Sequence, residues 1–203
     1  MTSNPELRAE LLALAAEDGR VRTELIHAGE LFDGYHPRMR AVHEHNTAVL
    51  VRIINVHGWP GRALVGDDGA KAAWLVLQHS IGAPALMRRC LPLLQKAAVS
   101  GDIDPAEPAY LADRIAVFEG RPQRYGTSFD WNEAGEFGPH ELEDPDRVDE
   151  WRASVGLGPL AERIVAAREQ LKIECESPPA DLAARKREMD AWAIAVGWRP
   201  RKE

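Results

Sequence analysis

The chain has 203 residues, of which 45% are hydrophobic and 28% charged, so it is long enough for one compact domain with or without a helical arm. Its 32 acidic residues outnumber 25 basic ones and give a formal net charge of -7. Proteins that bind the phosphate backbone of nucleic acids usually carry a basic excess. We therefore expect no nucleic-acid partner.

Membrane association and disulfide chemistry are not indicated either. The longest uncharged apolar stretch, residues 72–77, is far shorter than the roughly 20 residues that span a bilayer. The first residues form a charged amphipathic segment rather than a signal peptide. Two cysteines, Cys90 and Cys175, are too few for a disulfide framework or a cysteine-rich zinc site. We expect a soluble cytoplasmic protein with no membrane partner.

Apolar residues at spacings of three and four predict a mainly α fold, a compact domain of six or seven helices. The segment 69–80 is apolar on nearly every side, which is typical of a central helix. Residues 124–131 and 136–142 carry aromatic and β-branched residues on either side of a turn, so one small β-hairpin is expected. With the C-terminal one included, the predicted helices cover residues 5–26, 37–57, 69–80, 84–97, 105–119, 145–154, 160–175 and 182–196.

The domain organisation follows from the linker signals. The sequence indicates a single helical domain over residues 1–176, with a motif-bearing core at about 46–164. Residues 177–203 comprise a Ser-Pro-Pro linker and an amphipathic helix. Trp192 and Trp198 are expected to dock this helix on the domain or on a second subunit, so a homodimer through the helix is an open alternative.

Asp113 and Arg114 are charged residues in an apolar helical segment. Their neighbours three and four positions away are aliphatic or aromatic, so neither residue has a local ionic partner. Because a buried unpaired charge is costly, each requires a partner or a bound ligand. One interpretation is a structural salt-bridge network, and the other is that Arg114 clamps a carboxylate or phosphate of a substrate.

Gln78 and His79 end the apolar segment just before a Gly-Ala-Pro break. A histidine titrates near neutral pH and can therefore act as an acid or a base, and Asp113 could fix the tautomer of its ring. The alternative is a core histidine that is satisfied by one hydrogen bond.

The polar segment 119–127 leaves the Asp113 helix and enters the hairpin. Gln123, Tyr125 and Thr127 could project from it toward whatever Asp113 and Arg114 face, since loops held by rigid elements often carry function. The segment is alternatively a Gly-Pro connection whose tyrosine packs on the hairpin. We predict that Gln78, His79, Asp113, Arg114, Gln123 and Tyr125 line one pocket.

Metal ligation is a further alternative. His43, Asn46 and His57 share a helical face, but their spacing is not that of a known zinc motif, and the one combination worth testing is His57, His79 and Asp113. No motif for covalent catalysis or nucleotide binding is present in the sequence.

Several short motifs occur in order along the chain: His57-Gly58-Trp59-Pro60, Val65-Gly66, Gln78-His79, Arg89-Cys90-Leu91-Pro92-Leu93-Leu94, Tyr110-Leu111-Ala112-Asp113-Arg114, Gln123-Arg124-Tyr125-Gly126-Thr127 and Val155-Gly156-Leu157-Gly158-Pro159-Leu160. The series resembles a widespread, uncharacterised family of bacterial helical domains. The resemblance supports the domain and implies no activity. Ser80-Ile81-Gly82 stands where the family usually has an Asp, and Ser128 where it has a Gln. If those groups contact substrate, this member handles a different one.

The leading hypothesis is a metal-independent acid–base enzyme, without a cofactor, that acts on a small polar or anionic molecule. Hydrolysis, elimination and cyclisation all fit. The alternatives are a non-catalytic ligand-binding or protein-interaction module, and a metal-dependent enzyme. The predicted catalytic residues are His79, Asp113 and Tyr125, and the predicted substrate-binding residues are His57, Trp59, Gln78, Arg89, Arg114, Gln123 and Thr127.

Overall fold

The computed structural model describes residues 3–30, 35–174 and 178–201. Within these ranges the chain is mainly helical with one two-stranded antiparallel hairpin, which confirms the predicted fold class. The elements are α1 (Pro5–Ala28), α2 (Pro37–His57), α3 (Arg62–His79), α4 (Pro84–Val99), α5 (Glu107–Phe118), β1 (Phe129–Trp131), β2 (Phe137–Pro139), α6 (Val148–Ser154), α7 (Leu160–Glu174) and α8 (Leu182–Ala195).

The chain forms two compact units, Met1–Asp104 and Pro105–Glu203. The boundary predicted at residue 176 stays a prediction, and α8 belongs to the second unit. None of the helices in the described ranges combines the length and apolar character that a bilayer-crossing helix requires. Cys90 is a buried free thiol, whereas Cys175 lies outside the described residues.

In the first unit, α3 packs on both α1 and α2, as expected for a central helix. Small residues on α3 allow the close approach. At Gly69 a side-chain carbon would lie 3.3 Å from the Cγ atom of Arg8 on α1. Helix α1 turns one apolar stripe toward this contact, and the buried residues of that stripe are Leu7, Leu11, Leu14, Asp18, Val21 and Leu25.

Helix α3 begins at Arg62, seven residues before the predicted start at Gly69. Its first turn is capped by a residue that is distant in sequence. Asp102 accepts the Ala63 N–H at 2.6 Å through its side chain and the Arg62 N–H at 2.9 Å through its carbonyl. Gly66, with φ 75° and ψ 173°, interrupts the helix between this capped turn and the apolar segment. Local periodicity does not show a cap that comes from elsewhere in the chain, so the sequence predicted only the segment after the break.

In the second unit, the hairpin strands are shorter than predicted. Phe129 pairs with Pro139, and Trp131 pairs with Phe137. The segment before β1 does not form a strand, because its backbone N–H groups bind the side chain of Asp113 on α5.

Helix α8 and the residues after it dock on their own chain through Trp192 and Trp198. This is one of the two alternatives that the sequence predicted. The ring of Phe118 packs against Trp192 and Trp198, with centroids 5.5 and 5.1 Å away. Arg199 donates to the Phe118 carbonyl at 2.8 Å and pairs with Asp190. A homodimer through α8 stays a prediction.

We expect Gly126→Ala to destabilise the second unit by about 2 kcal/mol or more. Gly126 has φ 61°, and a Cβ atom there would lie 2.9 Å from a methyl group of Leu160. Gly138→Ala is the matched control, because Gly138 has open space around it and an ordinary φ, and its effect should stay within about 0.5 kcal/mol. Urea unfolding followed by circular dichroism measures both. Equal midpoints for the two variants would contradict the prediction.

Candidate functional site

A buried carboxylate lies on the apolar stripe of α1. Asp18 is 2% exposed and occupies the position between Leu14 and Val21 that the helical spacing assigns to the core. A carboxylate at such a position must be paired or hydrogen-bonded, because burial of an isolated charge is costly. Two histidines of the same unit supply the contacts.

The first is His79, the last residue of α3. Its Nδ1 atom lies 2.8 Å from Oδ2 of Asp18, and its side chain keeps 29% of its surface exposed. The end of α3 is fixed nearby, since the hydroxyl of Ser80 donates to the Val76 carbonyl and accepts from Thr47 on α2, both at 2.8 Å. One imidazole nitrogen of His79 therefore binds a buried carboxylate, although the side chain as a whole remains in contact with solvent.

The second is His43 of α2, which is 12% exposed and has its Nε2 atom 3.2 Å from the same oxygen of Asp18. That contact lacks hydrogen-bond geometry, so Nε2 is a buried nitrogen with no hydrogen-bond partner among the described residues. The other nitrogen, Nδ1, lies 2.7 Å from the hydroxyl of Tyr35. The His43 and His79 rings are tilted against each other with centroids 4.8 Å apart.

The charges in this cluster follow from burial and contact. Burial opposes ionisation of Asp18, but the contacts with His43 and His79 outweigh it and hold the pKa of this carboxyl well below its ordinary value. Burial raises the pKa of Tyr35 to about 12, so the phenol stays protonated and can donate to His43. An ionised Asp18 can only accept a hydrogen bond, so Nδ1 of His79 is the donor, and this bond fixes the tautomer of the neutral His79 ring.

The sequence interpretation missed Asp18 and Tyr35, and it considered His43 only as part of a helical face with Asn46 and His57. A signal for Asp18 was present. Leu11, Leu14, Val21 and Leu25 follow each other at core spacing once Asp18 is counted as one of the stripe. An acidic residue at a core position indicates a buried charge, as it does for Asp113. At Asp18 this signal is obscured, because Glu17 and Arg20 close by in sequence are also charged.

The assignment of Asp113 as the partner of His79 is corrected, because the carboxylate bonded to His79 is Asp18. Asp113 is 1% exposed, and it serves the loop that enters the hairpin. Its two oxygens accept the backbone N–H groups of Arg124, Tyr125 and Thr127 and the Thr127 hydroxyl, at 2.9 to 3.1 Å. The Asp113 carboxylate therefore holds this loop in its conformation through hydrogen bonds.

Gln123 is also occupied by this loop. Its amide nitrogen donates to the carbonyls of Ser128 and His140, and its amide oxygen accepts the Ser128 N–H. Arg152, which the sequence did not single out, is buried and donates to the carbonyls of Tyr125 and Gly158 at 2.7 and 2.6 Å. The motif residues of the second unit therefore hold a turn in place.

The other predicted residues lie at varied depths. Gln78 and Trp59 are partly buried, whereas His57 is exposed. Arg89 is exposed and donates to Asn55 at 2.7 Å. In the second unit Tyr125 is partly buried, and burial lowers the pKa of Arg114. The predicted common pocket joins residues of both units and stays a prediction.

One group among the described residues has the composition and spacing to hold a metal ion: Asp18, His43 and His79, with ligand atoms within 4.8 Å of one another. It shares only His79 with the predicted combination of His57, His79 and Asp113. The three ligands come from three different helices, so sequence spacing alone cannot reveal them.

The first unit thus presents a carboxylate with two imidazoles on a helical scaffold. The chain belongs to DUF6624, a family of unknown function, whose sequence profile matches residues 5–176. The match includes all three residues of the cluster and ends before α8, and it agrees with the resemblance to an uncharacterised family. No curated protein matches the chain. No solved structure matches it either.

We expect Asp113→Ala to destabilise the second unit by at least about 3 kcal/mol, because three backbone N–H groups lose their acceptor. Thr127→Val removes one hydroxyl donor to the same carboxylate and should cost about 1 kcal/mol. Urea unfolding measures both values. A loss under about 1 kcal/mol for Asp113→Ala would show that the carboxylate does not brace the loop.

Proposed function

We propose that the protein is an acid–base enzyme acting on a small polar or anionic molecule, with Asp18 and His79 at its reacting centre. One observation carries the proposal: the buried Asp18 carboxylate binds Nδ1 of His79 at 2.8 Å, while the His79 side chain keeps 29% of its surface exposed. A structural histidine needs one hydrogen bond but does not need contact with solvent.

The bond to Asp18 determines what His79 can do. Because Asp18 takes the proton-bearing Nδ1, the lone pair of the neutral ring is on Nε2. In the metal-free protein this atom can accept a proton from a substrate or a water molecule, and the imidazolium that results is stabilised by the adjacent negative charge. Asp18 orients the ring and remains ionised throughout.

His43 and Tyr35 support this arrangement from the side of α2. Nε2 of His43 lies 3.2 Å from the same oxygen, and this contact helps to lower the pKa of Asp18. Tyr35 stacks on the His43 ring with centroids 5.7 Å apart and holds its Nδ1 atom. Asp18 can therefore stay ionised at a buried position, which the proposed role requires.

The position of Arg40 supports the proposal that the substrate is anionic. Arg40 belongs to the first turn of α2, and its guanidinium lies 5.4 Å from the centre of the ring of Tyr35, whose hydroxyl contacts His43. It is exposed, and it makes no ion pair with any residue that the structure describes. A substrate carboxylate or phosphate could bind there while its reacting group faces His79.

Turnover of a panel of 4-nitrophenyl esters and phosphate esters tests the proposal. We expect His79→Gln and Asp18→Asn to lower kcat/KM at least about 100-fold, which is the lower range for removal of a general acid or base. His45→Gln is the matched control, because His45 is an exposed histidine of α2 outside the cluster, and it should keep full activity. Circular dichroism checks that each variant is folded.

Undiminished turnover in folded His79→Gln would overturn the proposed role of His79. The non-catalytic alternative predicts something else. A binding module shows no turnover beyond that of buffer with any substrate, while its ligand still protects the protein against unfolding.

A further inference from the structure

We propose that Asp18, His43 and His79 bind one divalent transition-metal ion of the zinc class. Three atoms would ligate it: Oδ2 of Asp18, Nε2 of His43 and Nδ1 of His79. The three residues are brought together from α1, α2 and α3, and their ligand atoms lie within 4.8 Å of one another. Each helix thus contributes one ligand to a common point.

The two distances from the carboxylate oxygen to the imidazole nitrogens suit a small tetrahedral ion. Ligands about 2.0 to 2.1 Å from zinc stand roughly 3.3 Å apart in a tetrahedron. Oδ2 of Asp18 is 2.8 Å from Nδ1 of His79 and 3.2 Å from Nε2 of His43. Two imidazoles and one carboxylate favour zinc and its transition-metal neighbours over calcium or magnesium, which prefer oxygen ligands.

The unsatisfied nitrogen of His43 is a second, independent indication. Nε2 is buried, faces the Asp18 oxygen, and forms no hydrogen bond with any described residue. A buried polar atom without a partner is costly, whereas a cation at this point would use its lone pair and neutralise the buried carboxylate. Tyr35 would then accept the proton on Nδ1 of His43, the outer-shell contact that metal-bound histidines usually have.

Three protein ligands leave a fourth position for water, as in catalytic rather than structural zinc sites. The His79 side chain is 29% exposed, so water can reach this ligand. This inference rests on the proposed function for the location of the reacting centre, and it changes the group that carries the proton. A cation-bound water, with a pKa lowered to about 7, would lose a proton to solvent and supply the hydroxide, while His79 serves as a ligand.

Metal binding can be measured without any substrate. Full-length protein without an affinity tag is freed of metal with a chelator and titrated with Zn²⁺ by calorimetry and with Co²⁺ by visible absorption. We expect one equivalent of each metal and the intense d–d bands of tetrahedral Co²⁺. Asp18→Asn, His43→Gln and His79→Gln should each weaken binding at least about 10-fold, and His45→Gln should leave it unchanged.

Two further variants test metal binding if a ligand variant fails to fold. His43→Asp retains a metal ligand without the imidazole and should bind Co²⁺ measurably, more tightly than His43→Gln. Tyr35→Phe removes only the outer contact and should weaken binding about 10-fold.

Absence of stoichiometric Zn²⁺ and Co²⁺ binding by folded wild-type protein would overturn the inference, as would equal affinities for wild type and His43→Gln. Neither result removes the proposed function. Turnover that persists in chelator but depends on His79 supports acid–base catalysis by the imidazole itself, whereas turnover independent of His79 rejects the proposed function whatever the metal result.

Discussion

The buried carboxylate of Asp18 is the constraint on which the first unit depends. A charge at a core position of α1 requires partners from the helices packed against it, and His43 of α2 and His79 of α3 are those partners. The contacts that stabilise the ion also fix both imidazole rings. The same contacts therefore pack the three helices together and form the site. A buried Asp18 on α1 requires the histidines of α2 and α3 as partners.

The second unit also contains a buried aspartate, but it stabilises the charge with different partners. Asp113 is as buried as Asp18, but its partners are backbone N–H groups of the loop that leads into the hairpin, and Gln123 and Arg152 hold the same loop through carbonyl groups. Among the described residues, the hydrogen bonds of Asp113 go to this loop. Of the two buried aspartates, only Asp18 is bonded to a group that can carry a proton to and from solvent, which is why we place the chemistry there.

Periodicity and turn residues were sufficient to predict most of the helices and the hairpin, because these features depend on residues close in sequence. Trp192 and Trp198 indicated how α8 docks, but the sequence did not show that they pack on Phe118. The sequence also indicated that Asp113 is buried and that His79 ends its helix. It did not show which residues these two side chains bind. Asp18 and His79 are 61 residues apart, and no local pattern records which aspartate a histidine will meet. The predicted pairing of His79 with Asp113 chose the aspartate with apolar neighbours, whereas the polar residues around Asp18 concealed its place on the stripe of α1.

Long-range proton–nitrogen correlation spectra of ¹⁵N-labelled, metal-free protein report on the bond between Asp18 and His79. We expect Nδ1 of His79 to carry a proton that exchanges slowly with water, and this signal to be lost or shifted strongly in Asp18→Asn, while the exposed His45 ring is unchanged. If His79 shows the same averaged tautomers as His45, and the same signals in wild type and Asp18→Asn, the two residues do not form this bond.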